Sequence, residues 1–207
     1  MILKVCGMKY ADNIRQLDEA QIAQWMGFIF YPRSPRYVGE PPTYLPRHSQ
    51  RVGVFVDSTI DDIMAHLADY QLNLIQLHGN ESPAFCQTLR SQLDKDVRLI
   101  KALQVSSATS FQAAEAYAPV IDYFLFETQC NSYGGSGRQF DWTLLHSYHG
   151  NTPFLLTGGI SPIDAERVRA FRHPQFIGID LNSRFETAPA RKDIQAIQTF
   201  TQQITHP

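Results

Sequence analysis

PFLLTGGISPIDAERVRAFRHPQFIGIDLN, residues 153–182, is the stretch that decides the fold. It holds two short apolar runs, at 153–159 and 176–182, on either side of a segment with helical character at 162–171. Ser161-Pro162 opens that segment as a helix cap followed by proline at the first helical position. The runs are apolar almost throughout rather than alternating, which is typical of parallel strands covered on both faces. The stretch therefore predicts a strand–helix–strand unit.

The same unit repeats along the chain. Eight runs rich in β-branched or aromatic residues occur: ILKVC (2–6), MGFIFY (26–31), RVGVFVD (51–57), LIQLHG (74–79), VRLIKAL (97–103), YFLFET (123–128), PFLLTGG (153–159) and FIGIDLN (176–182). Helical patterns separate them near 11–23, 59–70, 83–93, 108–117, 141–148, 162–171 and 190–204. We predict an α/β fold: a single (β/α)8 TIM barrel of eight parallel strands, forming one domain over residues 1–207. The alternative is an open doubly wound sheet, and the lack of a dinucleotide fingerprint after the first run favours the barrel.

Three local features refine this prediction. The second crossover, residues 32–50, carries five prolines: Pro32, Pro35, Pro41, Pro42 and Pro46. Since proline inside a helix costs about 3 kcal/mol, we expect the second crossover helix to be short or missing. Residues 129–140 form a polar, glycine-containing loop that is a candidate mobile lid. Capping boxes are expected at Ser58…Asp61 and at Ser183…Glu186.

Composition narrows the function classes. The 207 residues carry a net charge of -2, so there is no basic footprint for nucleic acid. No apolar run is long enough for a membrane helix, and the start lacks the charged region and length of a signal peptide. Cys6, Cys86 and Cys130 are odd in number and widely spaced, which suggests neither disulfides nor a metal site. We expect a cytoplasmic enzyme without metal, with Cys86 structural and Cys130 incidental.

Barrel enzymes place their chemistry at the carboxyl ends of the strands. The candidates at those ends are Cys6 after the first run, Arg36 after the second, Gln76 and His78 on the fourth, Glu127 on the sixth, Gly158 and Gly159 on the seventh, and Asp180, Asn182, Ser183 and Arg184 on the eighth. Each also has a structural interpretation. Cys6 could be a small buried hydrophobe, Glu127 a solvated group and His78 a satisfied core histidine.

The end of the seventh run favours a phosphate site. Gly158-Gly159 could be only a tight turn. However, a barrel strand followed by two glycines and a capped helix is the usual place where backbone N–H groups meet a phosphate. Asn182-Ser183 offers a second helix start for the same anion. We therefore expect a phosphorylated small-molecule substrate.

Several blocks together resemble one family. KVCGM (4–8), GFIFYPRSPRYV (27–38), RVGVFV (51–56), IQLHGNE (75–81), IKAL (100–103), YGGSGRQFDW (133–142), LTGGISP (156–162) and GIDLNSRFE (178–186) occur in order. They are similar to the successive blocks of the phosphoribosylanthranilate isomerase family, and the resemblance covers essentially the whole chain.

The resemblance implies a cofactor-free Amadori rearrangement in tryptophan biosynthesis. N-(5-phosphoribosyl)anthranilate is converted to 1-(o-carboxyphenylamino)-1-deoxyribulose 5-phosphate. It implies that Cys6 is the general base, Glu127 the general acid, Arg36 the holder of the anthranilate carboxylate, and His78 part of the site wall. The chain departs from the family pattern where Glu127 replaces an aspartate, where Asn182-Ser183-Arg184 replaces a glycine-containing segment, and in its short second crossover. We expect a monomer or homodimer.

The chemistry sets two requirements on these residues. Ring opening needs a proton donor and enolamine formation needs a base, so an acid and a base must flank one cavity. A thiol at its ordinary pKa is mostly protonated at neutral pH, so Cys6 needs a lowered pKa, with Lys4 as the candidate cause. Glu127 needs partial burial to stay protonated. Asp122 lies near the wrong strand end to replace Glu127, and Asp141 is better suited to capping a helix.

Two other functions remain open from the residues alone. One is a sugar isomerase of the histidine pathway, although such enzymes usually rely on two aspartates at strand ends. The other is a binding or regulatory protein that kept the phosphate site and lost catalysis. Turnover of phosphoribosylanthranilate separates all three.

Overall fold

The computed structural model describes residues 1–128 and 142–205. Its centre is a closed barrel in which eight parallel strands follow one another in sequence order and β8 returns to β1. The strands are β1 (Ile2–Cys6), β2 (Trp25–Ile29), β3 (Gln50–Phe55), β4 (Leu74–Leu77), β5 (Arg98–Val105), β6 (Tyr123–Thr128), β7 (Phe154–Thr157) and β8 (Phe176–Leu181). Each strand overlaps one of the eight apolar runs. The predicted barrel is therefore confirmed and the open sheet is excluded.

The described ranges contain six α-helices around the barrel. They are α1 (Ala11–Glu19), α2 (Ile60–Asp69), α3 (Pro83–Gln92), α4 (Gln112–Tyr117), α5 (Ala165–Ala170) and α6 (Ile194–Thr205). None of the helices in these ranges has the length and apolar character needed to traverse a bilayer.

Three helical segments differ from the prediction. Helix α1 ends before residue 23, because Gln21 adopts a φ of 52° and turns the chain towards β2. The segment before β7 is a 3-10 helix, Trp142–Ser147, rather than an α-helix. Helix α6 starts late because a small antiparallel hairpin precedes it, made of β9 (Glu186–Ala188) and β10 (Arg191–Lys192).

The expected caps are partly wrong. The Ser161 cap forms as predicted and makes a reciprocal capping box with Asp164, and Ser82 caps α3 by accepting a hydrogen bond from Phe85 N. Helix α2 is capped by Thr59, whose hydroxyl accepts from Asp62 N, rather than by Ser58. No box forms at Ser183…Glu186, since the Glu186 carboxylate is bound to cationic side chains instead.

The second crossover has no helix, as the prolines predicted. Its chain is held by Asp18, a buried carboxylate near the end of α1. Asp18 accepts hydrogen bonds from the Tyr44 hydroxyl at 2.8 Å and from the backbone N–H groups of Arg47, His48 and Ser49 at 2.8, 3.0 and 3.1 Å. These bonds lower the pKa of Asp18 although burial opposes its charge. One ionised side chain thus takes over the backbone pairing that a helix would have supplied.

Inside the barrel, the inward-facing side chains form an apolar layer near the amino-terminal ends of the strands and a more polar layer nearer the mouth. A cluster of buried inward-facing side chains fills the amino-terminal half: Trp25, Val52, Leu74, Ile100, Ala102, Leu125 and Leu155. Two residues further along a strand, the next inward position stands one layer closer to the mouth. Those positions are Gly27 after Trp25, Gln76 after Leu74 and Glu127 after Leu125. The apolar layer therefore forms a floor beneath the polar groups.

Candidate active site

A cavity of about 270 Å³ opens at the carboxyl ends of the strands. All the sequence-predicted site residues except Arg36 line it: Cys6, Gln76, His78, Glu127, Gly158, Gly159, Asp180, Asn182, Ser183 and Arg184. The closed barrel brings Cys6 on β1 and Glu127 on β6 to the wall of one cavity, although they are far apart in sequence. The two side chains that the resemblance predicts as base and acid thus line the same cavity.

Cys6 is buried among charged groups. Lys4, on the same face of β1 and fully buried, places its Nζ 3.0 Å from Asp180 Oδ1 and also interacts with the thiol. Gly27 lies opposite Cys6 on β2, and a Cβ there would stand 2.9 Å from Cys6 Sγ and 3.2 Å from Lys4 Nζ. The absence of a side chain at Gly27 is what leaves room for the thiol and the ammonium.

Burial decides the acidity of this thiol. Removal from water raises the pKa of Cys6, while the cations Lys4 and Lys192 pull it down. The expectation of a lowered pKa is therefore wrong for the free protein, because desolvation of the thiolate outweighs the attraction of its neighbours. Lys4 acts in the predicted direction, but much of its charge is engaged by Asp180.

Glu127 belongs to a chain of three polar side chains. Gln76 Nε2 lies 2.8 Å from His78 Nδ1, and His78 Nε2 lies 3.5 Å from Glu127 Oε2. The imidazole thus lies between the Gln76 amide on its Nδ1 side and the Glu127 carboxylate on its Nε2 side. Hydrogen bonding to His78 lowers the pKa of Glu127 and overrides the effect of burial. The expectation that burial keeps Glu127 protonated is therefore wrong.

Arg36 does not line the cavity, and its guanidinium is bound to Glu186. Its Nε and Nη2 donate to Glu186 Oε1 and Oε2 at 2.8 and 2.6 Å, a two-pronged pair. Lys192 Nζ lies 2.5 Å from Glu186 Oε1 and 2.8 Å from Asn182 Oδ1. Sequence reasoning missed both Glu186 and Lys192. The only signal in the sequence was that both follow the eighth strand, at the end of the barrel where such enzymes place their chemistry.

Two backbone segments border the cavity beside Asp180. Gly158 and Gly159 have φ of 102° and 70°, a conformation that favours glycine. They lead into the Ser161 capping box and a short 3-10 turn rather than directly into a regular helix. Facing them is the 3-10 turn Ser183–Phe185, in which Arg184 is exposed.

The remaining candidates fall elsewhere. Asp122 lies outside the cavity and binds Arg90 and Arg98 at 2.6 and 3.1 Å. Cys86 is buried in α3, where burial raises its pKa to about 11, so it has the inert character of a packing thiol. The proposed lid at 129–140, with Cys130, and Asp141 lie outside the described residues.

The fold and site define an acid–base enzyme of the (β/α)8-barrel class. The sequence pattern of the family described as N-(5'phosphoribosyl)anthranilate (PRA) isomerase matches residues 3–203. This chain belongs to that family.

Individual relatives agree with the family match. An N-(5'-phosphoribosyl)anthranilate isomerase from Parabacteroides distasonis is 48% identical over 213 residues, covering 100% of this chain and 95% of the relative. A crystal structure of phosphoribosyl anthranilate isomerase with reduced 1-(o-carboxyphenylamino)-1-deoxyribulose 5-phosphate is similar with a TM-score of 0.79 and 26% identity, covering 100% of both chains. A structure of monomers generated from the dimeric Thermotoga maritima enzyme has a TM-score of 0.77 and 25% identity, again over 100% of both chains.

Proposed function

We propose that this chain isomerises N-(5-phosphoribosyl)anthranilate to 1-(o-carboxyphenylamino)-1-deoxyribulose 5-phosphate in tryptophan biosynthesis, by general acid–base catalysis. The observation that carries the mechanism is the placement of Cys6 and Glu127 on the wall of one cavity. The acid protonates the ring oxygen and opens the furanose. The base then removes the C2′ proton, and the resulting enolamine tautomerises to the ketone.

Cys6 is the proposed base. Its thiol is buried beside Lys4, and it must reach the thiolate form to take the proton. The two nearby lysines stabilise the thiolate once it forms, although they do not compensate for burial in the free protein. We therefore expect the reactive form of the enzyme to be favoured at alkaline pH.

Glu127 is the proposed acid, acting together with His78. Hydrogen bonding to His78 lowers the pKa of Glu127, so the carboxylate must first take up the proton that it delivers to the ring oxygen. The His78 imidazole lies next to it, with Nε2 3.5 Å from the Glu127 carboxylate. Gln76 holds that imidazole from behind.

The substrate's two anionic groups have separate proposed partners. The backbone around Gly158-Gly159 and Asn182–Arg184 is proposed to take the phosphate, with the exposed Arg184 adding a charge-assisted contact. Arg36 is proposed to take the anthranilate carboxylate through its planar fork. Asp180 is assigned to the site through its pairing with Lys4.

We further propose that the chain functions as one domain in the cytoplasm, as a monomer or homodimer. Cys6 and Cys86 are free thiols, which suits a reducing compartment. A dimeric relative exists in Thermotoga maritima, which supports the dimer as one of the two states.

The test is turnover of phosphoribosylanthranilate by the purified chain, followed as loss of substrate fluorescence. Cys6→Ala should lower kcat by about 10²–10⁴-fold, the usual contribution of a general base. Cys86→Ala is the matched control, because it also removes a buried thiol but lies outside the cavity. Binding of the reduced product without turnover by the parent chain would instead identify a protein that has lost catalysis.

A further inference from the structure

We propose that Glu186 is a positioning residue that holds the Arg36 guanidinium in a fixed orientation for the substrate carboxylate. This inference rests on the proposed function, in which Arg36 binds that carboxylate. Glu186 occupies the edge of the guanidinium formed by Nε and Nη2. A guanidinium has a second two-pronged edge, formed by Nη1 and Nη2. Among the described residues no hydrogen bond from Nη1 is present, and we propose that the substrate carboxylate binds on this side of the guanidinium.

Glu186 can act as a support because it is itself immobilised. Its side chain is only 5% exposed, and Oε1 accepts hydrogen bonds from Lys192 Nζ at 2.5 Å and from Ala190 N at 3.2 Å. The carboxylate is therefore held from its own hairpin as well as by Arg36.

Lys192 is anchored in turn. Its backbone N–H donates to Asn13 Oδ1 at 2.7 Å, and its carbonyl accepts from Asn13 Nδ2 at 3.0 Å. Its ammonium also donates to Asn182 Oδ1 at 2.8 Å. The hairpin that carries Glu186 is thus fastened to α1 on one side and to the segment after β8 on the other.

The cluster formed by Arg36, Glu186 and Lys192 can attract a further anion. Burial opposes ionisation of Glu186, but the hydrogen bonds from Arg36 and Lys192 outweigh it and lower the pKa of the carboxyl. The Glu186 carboxylate then faces the Arg36 guanidinium and the Lys192 side chain, whose pKa is lowered by burial. A second carboxylate arriving at Arg36 would complete the pairing.

The cluster also adjoins the proposed base. A Cβ at Gly7, the residue after Cys6, would stand 2.6 Å from Arg36 Cδ and 3.4 Å from Lys192 Nζ. With a φ of 76°, Gly7 turns the chain so that both cations pack directly against it. A carboxylate held by Arg36 therefore lies close to the strand end that carries the thiol, which is where the anthranilate must be oriented.

The experiment is a double-mutant cycle with Glu186→Gln and Arg36→Met. The binding probes are reduced 1-(o-carboxyphenylamino)-1-deoxyribulose 5-phosphate and its counterpart without the carboxyl group. Glu186→Gln should raise KM and the inhibition constant of the carboxylated probe by about 10-fold, the equivalent of one lost charge-assisted hydrogen bond. It should leave the uncarboxylated probe unchanged and have no further effect in the Arg36→Met background. Glu115→Gln, at an exposed position of α4, is the matched control.

A second variant separates positioning from folding. Glu186→Asp keeps a negative charge beside Lys192 but withdraws the carboxylate from Arg36 by one methylene. It should retain the parent's unfolding temperature and still weaken the carboxylated probe selectively. Equal weakening of both probes, or an undiminished Glu186→Gln effect in Arg36→Met, would overturn the positioning role. Failure of the proposed function looks different, because the parent chain would then not turn over phosphoribosylanthranilate.

Discussion

The substitution Gly27→Ala should impair the enzyme by crowding its base. The added Cβ would stand 2.9 Å from Cys6 Sγ, whereas ordinary contacts begin at 3.4 Å, so the thiol has to move by about 0.5 Å. The same Cβ would stand 3.2 Å from Lys4 Nζ, so the ammonium would also have to shift. Because a misplacement of about 1 Å can cost about 10²-fold, we expect kcat/KM to fall about 10-fold. Crowding of a packed interior should also cost about 1–3 kcal/mol of stability.

Three measurements separate misplacement from unfolding. Initial rates give kcat and KM, thermal unfolding gives the stability, and the affinity for the reduced product reports whether the phosphate and carboxylate contacts survive. We expect the loss mainly in kcat, since the reacting group moves while the binding groups stay. Gly39→Ala is the control, because its Cβ would make only an ordinary 3.4 Å contact with the Tyr37 ring. A folded Gly27→Ala with the parent's kcat would refute the idea that this glycine makes room for a working thiol.

Three further predictions follow from the geometry. Asp18→Asn should lower the free energy of unfolding in urea by about 2–4 kcal/mol at pH 7, since an amide cannot accept all four hydrogen bonds, whereas exposed Asp69→Asn should change it by less than about 0.5 kcal/mol. The folded-state pKa of Asp18 is lowered, so its contribution to the free energy of unfolding is fully present above the unfolded pKa of about 3.9 and should be lost as pH falls through the folded pKa. A stability difference between the parent and Asp18→Asn that stays constant down to pH 2 would contradict this. Since burial raises the pKa of Cys6 and Lys192 lowers it, kcat/KM should climb with pH, and Lys192→Met should move that rise to higher pH; an unmoved profile would remove Lys192 from the thiol's surroundings. Glu127→Gln should lower kcat by about 10²–10⁴-fold with the reduced product still bound, while Glu127→Asp retains or raises turnover; a Gln variant as fast as the parent would show that the proton comes from elsewhere.

The structure shows what Glu127 contacts at the position where the family usually has an aspartate. A glutamate reaches about one methylene further than the aspartate usual in the family, and here its carboxylate meets the His78 imidazole. Because hydrogen bonding to His78 lowers the pKa of Glu127, we expect the protonation of the proposed acid to depend on this contact.

Much of the fold followed from local patterns. The apolar runs located all eight strands, because strands buried on both faces require nearly continuous apolar sequence. The prolines at 32–46 excluded a regular helix, since proline lacks the N–H that a helix interior needs. The strand-end rule then placed Cys6 and Glu127 at the cavity without any contact information, because alternation determines which side chains point inward.

The errors arose where local signals compete with long-range partners. Ser183…Glu186 has the spacing of a capping box, yet the Glu186 carboxylate binds Arg36 instead. The two residues are in contact in space but lie on opposite sides of most of the barrel's sequence. Helix α6 starts late for the same reason, since the hairpin that presents Glu186 and Lys192 takes up the residues before it. A spacing rule cannot anticipate an ion pair between the segment after β2 and the hairpin after β8.

The sequence alone determined the barrel, the location of the site and the residue types available for acid–base chemistry, because strand burial and strand direction are encoded locally. Only the tertiary structure decided the electrostatics: the raised pKa of Cys6, the lowered pKa of Glu127 and the capture of Arg36 by Glu186. Each depends on how deeply a group is buried and which charge lies within a few ångströms. Those quantities are set by closure of the barrel, which brings together residues that the sequence keeps far apart.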